Sequence, residues 1–173
     1  MRTARKIRSS LAGLAIAGAA VGFAAGAASA ACNSSAMDLI KNLDGSWRGG
    51  GTVQPIGGAK EKISCRVDYQ ASGARISQKI SCAGTDYKFD ADARVTCEGD
   101  AVRGTWTEKV ANNTGGVTGD IQGKRLSIEV DGPNFKGRFA VNVDSRTKHS
   151  LTITQFDPAA GRHVPVATIA LGR

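Results

Sequence analysis

The sequence predicts an all-β domain: a single antiparallel up-and-down β-barrel of roughly 8–10 short strands behind one short helix, with a β-sandwich as the alternative. Three observations predict it. From residue 45 onward, apolar residues recur at every second position over short runs, the period of a strand with one buried face. Gly, Asn, Asp or Pro punctuates those runs at turn-like intervals. Successive runs also fold into hairpins whose registers agree at more than one residue pair.

The helix comes first. Ser35–Leu43 carries an apolar stripe of Met37, Ile40 and Leu39 or Leu43, with Ser34 or Ser35 as its cap and Asp44-Gly45 as its stop. After it, Lys62–Gln70 places Ile63, Cys65, Val67 and Tyr69 on one face. A tight turn at Ala71-Ser72-Gly73 leads into a strand with Ile76, Ile80 and Cys82 on one face. Pairing Val67 with Ile80 sets Cys65 opposite Cys82 and Asp68 opposite Lys79, so an apolar pair and an opposite-charge pair select the same register. A Cys65–Cys82 disulfide is therefore the preferred bridge, provided the site is a narrow, non-hydrogen-bonded pair.

Tyr87, Phe89, Ala91, Val95 and Cys97 share the next inner face, and a turn at Gly99-Asp100 brings Cys97 opposite Val102. Val102, Gly104 and Trp106 alternate with Arg103, Thr105 and Thr107. Beyond the Asn112–Gly116 loop, strands at 117–121 and 126–130 flank a turn at Gly123-Lys124, and Asp131–Asn134 turns the chain again. Phe135, Phe139, Val141 and Val143 form the following inner face, with Val141 against Leu151, and Val164–Leu171 is the last strand. On this reading Gly119, Ile128 and Gly137 lie side by side, and such inner-face glycines either let strands coil tightly or leave room for a ligand. Gly49-Gly50-Gly51 is expected to relieve crowding or to mark a bulge in the first strand.

Residues 1–30 read as a cleavable export signal. Arg2, Arg5, Lys6 and Arg8 precede an uncharged Ala/Gly-rich run, which closes on Ala28-Ser29-Ala30. Residues 31–44 then form an N-terminal segment with the helix, and residues 45–173 form the barrel domain. An exported chain meets an oxidising compartment, so four Cys are expected to pair. With Cys65 and Cys82 joined, a Cys32–Cys97 bridge would staple the N-terminal segment to the wall. The sequence leaves Cys32 open between that bridge, a free thiol and a lipid anchor. Removing the leader leaves 19 basic and 15 acidic residues, a net charge of +4. That mild, scattered charge makes nucleic acid an unexpected partner. No membrane span is expected after cleavage, and a periplasmic or secreted location follows.

At Gly45-Ser46-Trp47 a G-x-W opens the first strand directly after a short helix. This resembles the start of lipocalin-like (calycin) barrels, including avidin-like and nitrobindin-like proteins, and implies a Trp closing one barrel end over the core. In nitrobindin-like proteins a His binds haem iron; no residue here can be matched to it, and no cofactor is expected. The longer string Gly45–Thr52, with Cys65, Cys82-Ala83, Tyr87–Asp90 and Gly104–Trp106, is similar to small exported proteins of α-proteobacteria. That likeness implies export and leaves function open.

Catalytic chemistry finds little support. No G-x-S-x-G elbow is present, paired cysteines make poor nucleophiles, and no Cys/His spacing suits zinc. Asp86, Asp90 and Asp92 cluster in sequence, but Asp90 and Asp92 lie on the face opposite Phe89 and read as solvated. A non-enzymatic protein is expected. The candidate ligand-binding residues are the inward-parity aromatics Trp47, Tyr69, Tyr87 and Trp106, with His149 inward near a rim; His163 falls in a loop. The expected function is binding of a small apolar or aromatic ligand inside the barrel. The alternative is an envelope-interaction role for the basic outer face of Arg66, Lys79, Arg103, Lys109, Arg125, Lys136 and Arg138.

Overall fold

The computed structural model describes residues 31–133 and 135–173. The expected export signal at 1–30, and with it the cleavage site after Ala30, lies outside the described residues. Ten strands follow one helix: α1 Ser34–Leu43, β1 Gly45–Val53, β2 Glu61–Ser72, β3 Arg75–Ala83, β4 Lys88–Glu98, β5 Ala101–Glu108, β6 Asn113–Gln122, β7 Arg125–Gly132, β8 Phe135–Ser145, β9 Lys148–Asp157 and β10 Arg162–Gly172. Each strand pairs antiparallel with its sequence neighbours, and β1 pairs with β10, so the sheet closes into an up-and-down barrel. Closure leaves no sheet edge unpaired.

The two ends of the barrel differ. At one end the β2–β3, β4–β5 and β6–β7 connections are tight hairpins with Gly73, Gly99 and Gly123 at φ of 59°, 61° and 57°. Only glycine takes that conformation without cost, which keeps these turns short. Helix α1 lies across this end and buries Ala36, Leu39, Ile40 and Leu43. Its cap is Asn33, one residue earlier than the serines suggest: the Asn33 side chain accepts from the Ala36 N–H at 2.8 Å. At the other end the connections other than β7–β8 are longer, notably residues 54–60 between β1 and β2.

The hairpin registers read from the sequence hold through β2–β5. Val67 pairs with Ile80, Asp68 with Lys79, Cys65 with Cys82 and Cys97 with Val102. Cys65 and Cys82 are disulfide-bonded with Cα atoms 4.1 Å apart, the narrow spacing of a non-hydrogen-bonded pair. Cys32 and Cys97 form the second disulfide. Next to it the N-terminal segment docks on the β4–β5 turn, where Asn33 N–H donates to the Gly99 carbonyl at 3.0 Å and Gly99 N–H donates to Ala31 at 3.1 Å.

One register differs. Ile128 stands between Gly119 and Phe139, while Gly137 pairs with Val130. The cause is the β7–β8 turn: Gly132 stays in the ladder opposite Phe135, so Pro133, which has no N–H to give a ladder, falls in the turn. Moving the turn centre by one residue slides the partners by two. The glycines of β1 relieve crowding without a bulge. Its pairing with β2 is continuous, and a Cβ at Gly49 or Gly51 would run into the carbonyls of Ala170 and Thr168. The irregularities lie instead in β8–β9 at Val143/Ser145 and in β9–β10 at Pro165/Ala167.

The disulfides close loops of very different size, 65 and 17 residues. In the chain-entropy picture they contribute about 4 and about 3 kcal/mol. Replacing Cys32 and Cys97 with Ser is expected to cost more in urea unfolding than replacing Cys65 and Cys82. The reverse order would mean that the N-terminal staple adds little to the barrel.

Candidate functional site

The five candidate ligand-binding residues do not form one site. Trp47, Tyr69 and His149 gather at the helix-capped end, whereas Tyr87 and Trp106 stand at the open end.

At the capped end Trp47 is fully buried, and its indole Nε1–H donates to the Leu43 carbonyl at 2.7 Å, tying β1 to the last turn of α1. His149, at the start of β9, meets it edge-on with ring centroids 4.3 Å apart, and Tyr69 contacts the imidazole at 5.8 Å. The Arg173 guanidinium lies 4.3 Å from the centre of a Trp47 ring. It also donates to the carbonyls of Asp44, of Asn42 at 3.2 Å and of Arg146 at 2.9 Å. A cation on the terminal carbonyls of a helix suits the helix dipole.

His149 thus faces inward as its parity implied, but it is 1% exposed under the helix rather than at an open rim. Both of its ring nitrogens are buried without a hydrogen-bond partner among the described residues. Burial is the main reason its pKa is pushed down to about 4, with Arg173 adding to the effect and Asp144 opposing it. Burial likewise holds the Tyr69 phenol well above its usual range. These residues make a stopper.

The open end is where the barrel is hollow. A cavity of about 220 Å³ lies between Tyr87, Phe89, Trp106, Phe135 and Phe139, with Val53, Ile63, Ile153, Val166 and Ile169 completing an apolar wall. A second space of about 70 Å³ continues inward to Leu43, Leu126 and one side of Tyr69, and shares Ile80, Phe89, Trp106 and Phe139 with the first. Of Trp47, Tyr69 and His149, Tyr69 alone lines the hollow. Trp106 and Phe135 meet edge-to-face with centroids 5.5 Å apart, and Phe135 and Phe139 lie 6.4 Å apart. Glycines make this possible. A Cβ at Gly137 would stand 2.6 Å from the Phe135 ring, so the missing side chain in β8 is filled by a neighbouring aromatic ring. At Gly104, Gly115 and Gly119 an added Cβ would strike the carbonyls of Arg94, Asp131 and Ser127, so these three let the strands coil tightly.

The polar side chains on the mouth lining include Tyr87, Lys88, Glu108, Asn113 and Gln155, besides the indole of Trp106. Trp106 is 7% exposed, and its Nε1 is buried without a partner among the described residues. Glu108, the next inward position on β5, is 5% exposed; its carboxylate accepts from the backbone N–H groups of Val110 and Ala111, both at 2.7 Å. Burial, then the charges of Glu108 and Glu61, raise the pKa of Tyr87. Ile56 and Val110, both in connections at this end, are the large hydrophobic side chains left exposed among the described residues.

Sequence reasoning missed Glu108 and Arg173. Extending the β5 alternation of Val102, Gly104 and Trp106 by one step would have found Glu108; nothing local signals Arg173. His163 is not in a loop but on β10, half-buried against Phe156 on the outer face. Neither histidine faces the mouth cavity, so neither fits as an axial ligand for haem, the group that the nitrobindin likeness raises. Asp90 and Asp92 are outward, as expected, and both pair with Lys109, at 3.3 and 3.0 Å.

Fold and site together define a stoppered, aromatic-mouthed barrel of the lipocalin-like kind. Among solved structures the chain is similar to Rv2717c from M. tuberculosis, with a TM-score of 0.65 at 13% identity over 82% of this chain and 98% of that one. It is also similar to the S-type phycobiliprotein lyase CPES from Guillardia theta, with a TM-score of 0.56 at 10% identity over 78% of this chain and 89% of that one. Both likenesses show the fold. No protein-family profile and no curated protein matches the chain.

The buried His149 gives the fold a signed pH dependence. Between about pH 6.5 and about 4 the unfolded chain takes up a proton that the folded chain refuses. Stability is expected to be insensitive to His149 above pH 7 and to fall as the pH drops through that window, by something on the order of 3 kcal/mol. Urea midpoints of wild type and His149→Leu, compared from pH 7.5 to 4, isolate the effect. A difference between the two that does not change with pH would mean His149 is free to titrate.

Proposed function

We propose that this is an exported, non-enzymatic binding protein, periplasmic or secreted, that holds a small apolar or aromatic ligand in the open end of its barrel. The observation that carries the reading is the aromatic-walled cavity of about 220 Å³ at the end opposite the helix. An apolar protein cavity of roughly 150 Å³ suffices for benzene, so this one suits a ligand of one or two fused rings. Concave apolar walls with a small number of convergent polar groups are the usual make-up of a small-molecule site. Two disulfides support an oxidising compartment, as does the leader-like composition of residues 1–30.

The outer face offers less to a partner. Arg66 pairs with Asp68, Lys109 with Asp90 and Asp92, Lys136 with Asp131, and Arg138 with Glu129, so much of its positive charge is answered locally.

Native mass spectrometry of protein recovered from its own cells is expected to show a chain beginning at Ala31 with a retained small molecule lost on denaturation. In titrations with 1-methylnaphthalene, Phe135→Ala and Phe139→Ala are expected to weaken binding at least tenfold. His149→Leu, at the stoppered end, should change it less than twofold at pH 7.5. Equal losses at both ends, or no binding by wild type, would remove the reading.

A further inference from the structure

Glu108 sets the chemistry of the mouth. It projects inward from β5 beside Trp106, 5% exposed, and lines the 220 Å³ cavity. Two backbone N–H groups occupy part of its carboxylate, which as an anion has about four acceptor sites. Among the described residues no cationic side chain lies within ion-pair distance of it: Lys109, the next residue, turns outward to Asp90 and Asp92. Lys88, also on the cavity lining, is exposed and its charge is screened by solvent. A buried carboxylate without a counter-cation is costly, and in a low-dielectric recess its field reaches whatever enters. That field already acts on Tyr87, whose phenol is held neutral by burial and by the nearby charges of Glu108 and Glu61.

The walls act in the same direction. The faces of aromatic rings carry negative charge density and attract cations, with Trp the strongest. Tyr87, Phe89, Trp106, Phe135 and Phe139 surround the space into which Glu108 faces. We infer that the ligand of this mouth is a small planar organic cation, such as an N-alkylated or protonated heteroaromatic of one or two rings, held between the aromatic walls with Glu108 as its counter-ion. This assignment rests on the binding reading above and narrows it. A neutral hydrocarbon would fill the walls and leave the carboxylate unanswered. An anion would bring a second negative charge beside it.

Three probes of nearly equal shape separate these cases: N-methylquinolinium, 1-methylnaphthalene and 1-naphthoate, titrated into the wild-type protein and followed by the indole N–H resonances. The cation is expected to bind at least tenfold tighter than the hydrocarbon, and the carboxylate weakest of the three. In Glu108→Gln, whose one amide oxygen can keep one of the two N–H bonds of the β5–β6 turn, the cation and the hydrocarbon should bind within about twofold of each other. Equal or tighter binding of 1-methylnaphthalene or 1-naphthoate by wild type overturns the assignment while leaving the apolar site standing. Persistence of the cation preference in Glu108→Gln also overturns it. Binding of none of the three overturns the site itself.

Discussion

Everything in this barrel depends on how one end is sealed. A closed sheet solves the edge problem but leaves two openings, and an apolar interior cannot tolerate water entering from both. Here one opening is filled by α1, and the seal turns on Trp47. Its indole is fully buried, bonded to the helix at Leu43, flanked by His149 and covered by Arg173. The same Arg173 holds the last carbonyls of the helix and the carbonyl of Arg146. One aromatic ring thus joins helix, β1 and β9. The Cys32–Cys97 disulfide pins the start of the same segment, so the stopper is anchored at both of its ends.

With one end committed to stability, the other is free to be hollow. The asymmetry shows in the loops, tight glycine turns under the helix and, except at β7–β8, longer connections at the mouth. It shows also in the side chains. Histidine, tyrosine and tryptophan interlock at the sealed end, whereas five aromatic rings at the mouth enclose a space. Glycines serve both ends by different means. In β1, β5 and at Gly115 and Gly119 they permit close strand contact, and at Gly137 they provide the recess in which Phe135 lies.

Much of this was legible from two-residue periodicity and pair agreement. The register of β2–β3 could be read because Val67–Ile80, Cys65–Cys82 and Asp68–Lys79 all require it. The β7–β8 register read from the sequence is two residues off because it centres the turn one residue too early, ahead of Pro133, although Asp131–Lys136 and Glu129–Arg138 face each other across the true register. Parity placed Trp47, Tyr69, Tyr87, Trp106 and His149 inward, yet alternation carries no information on which end of the barrel a residue occupies. That is decided by counting strands around a closed sheet. The five therefore divided into a stopper and a mouth. Arg173 was invisible because its partners, Trp47, Asn42, Asp44 and Arg146, are brought to it only by closure of β1 on β10.

The central claim is that the barrel is filled at the helix end and hollow at the mouth. A crystal structure determined under xenon pressure tests this most directly, because xenon enters apolar cavities and disturbs them little. The account predicts xenon among Trp106, Phe135 and Phe139, with none between Trp47, Tyr69 and His149. Rings collapsed across the mouth with no xenon there, or xenon lodged between Trp47, Tyr69 and His149, would contradict it.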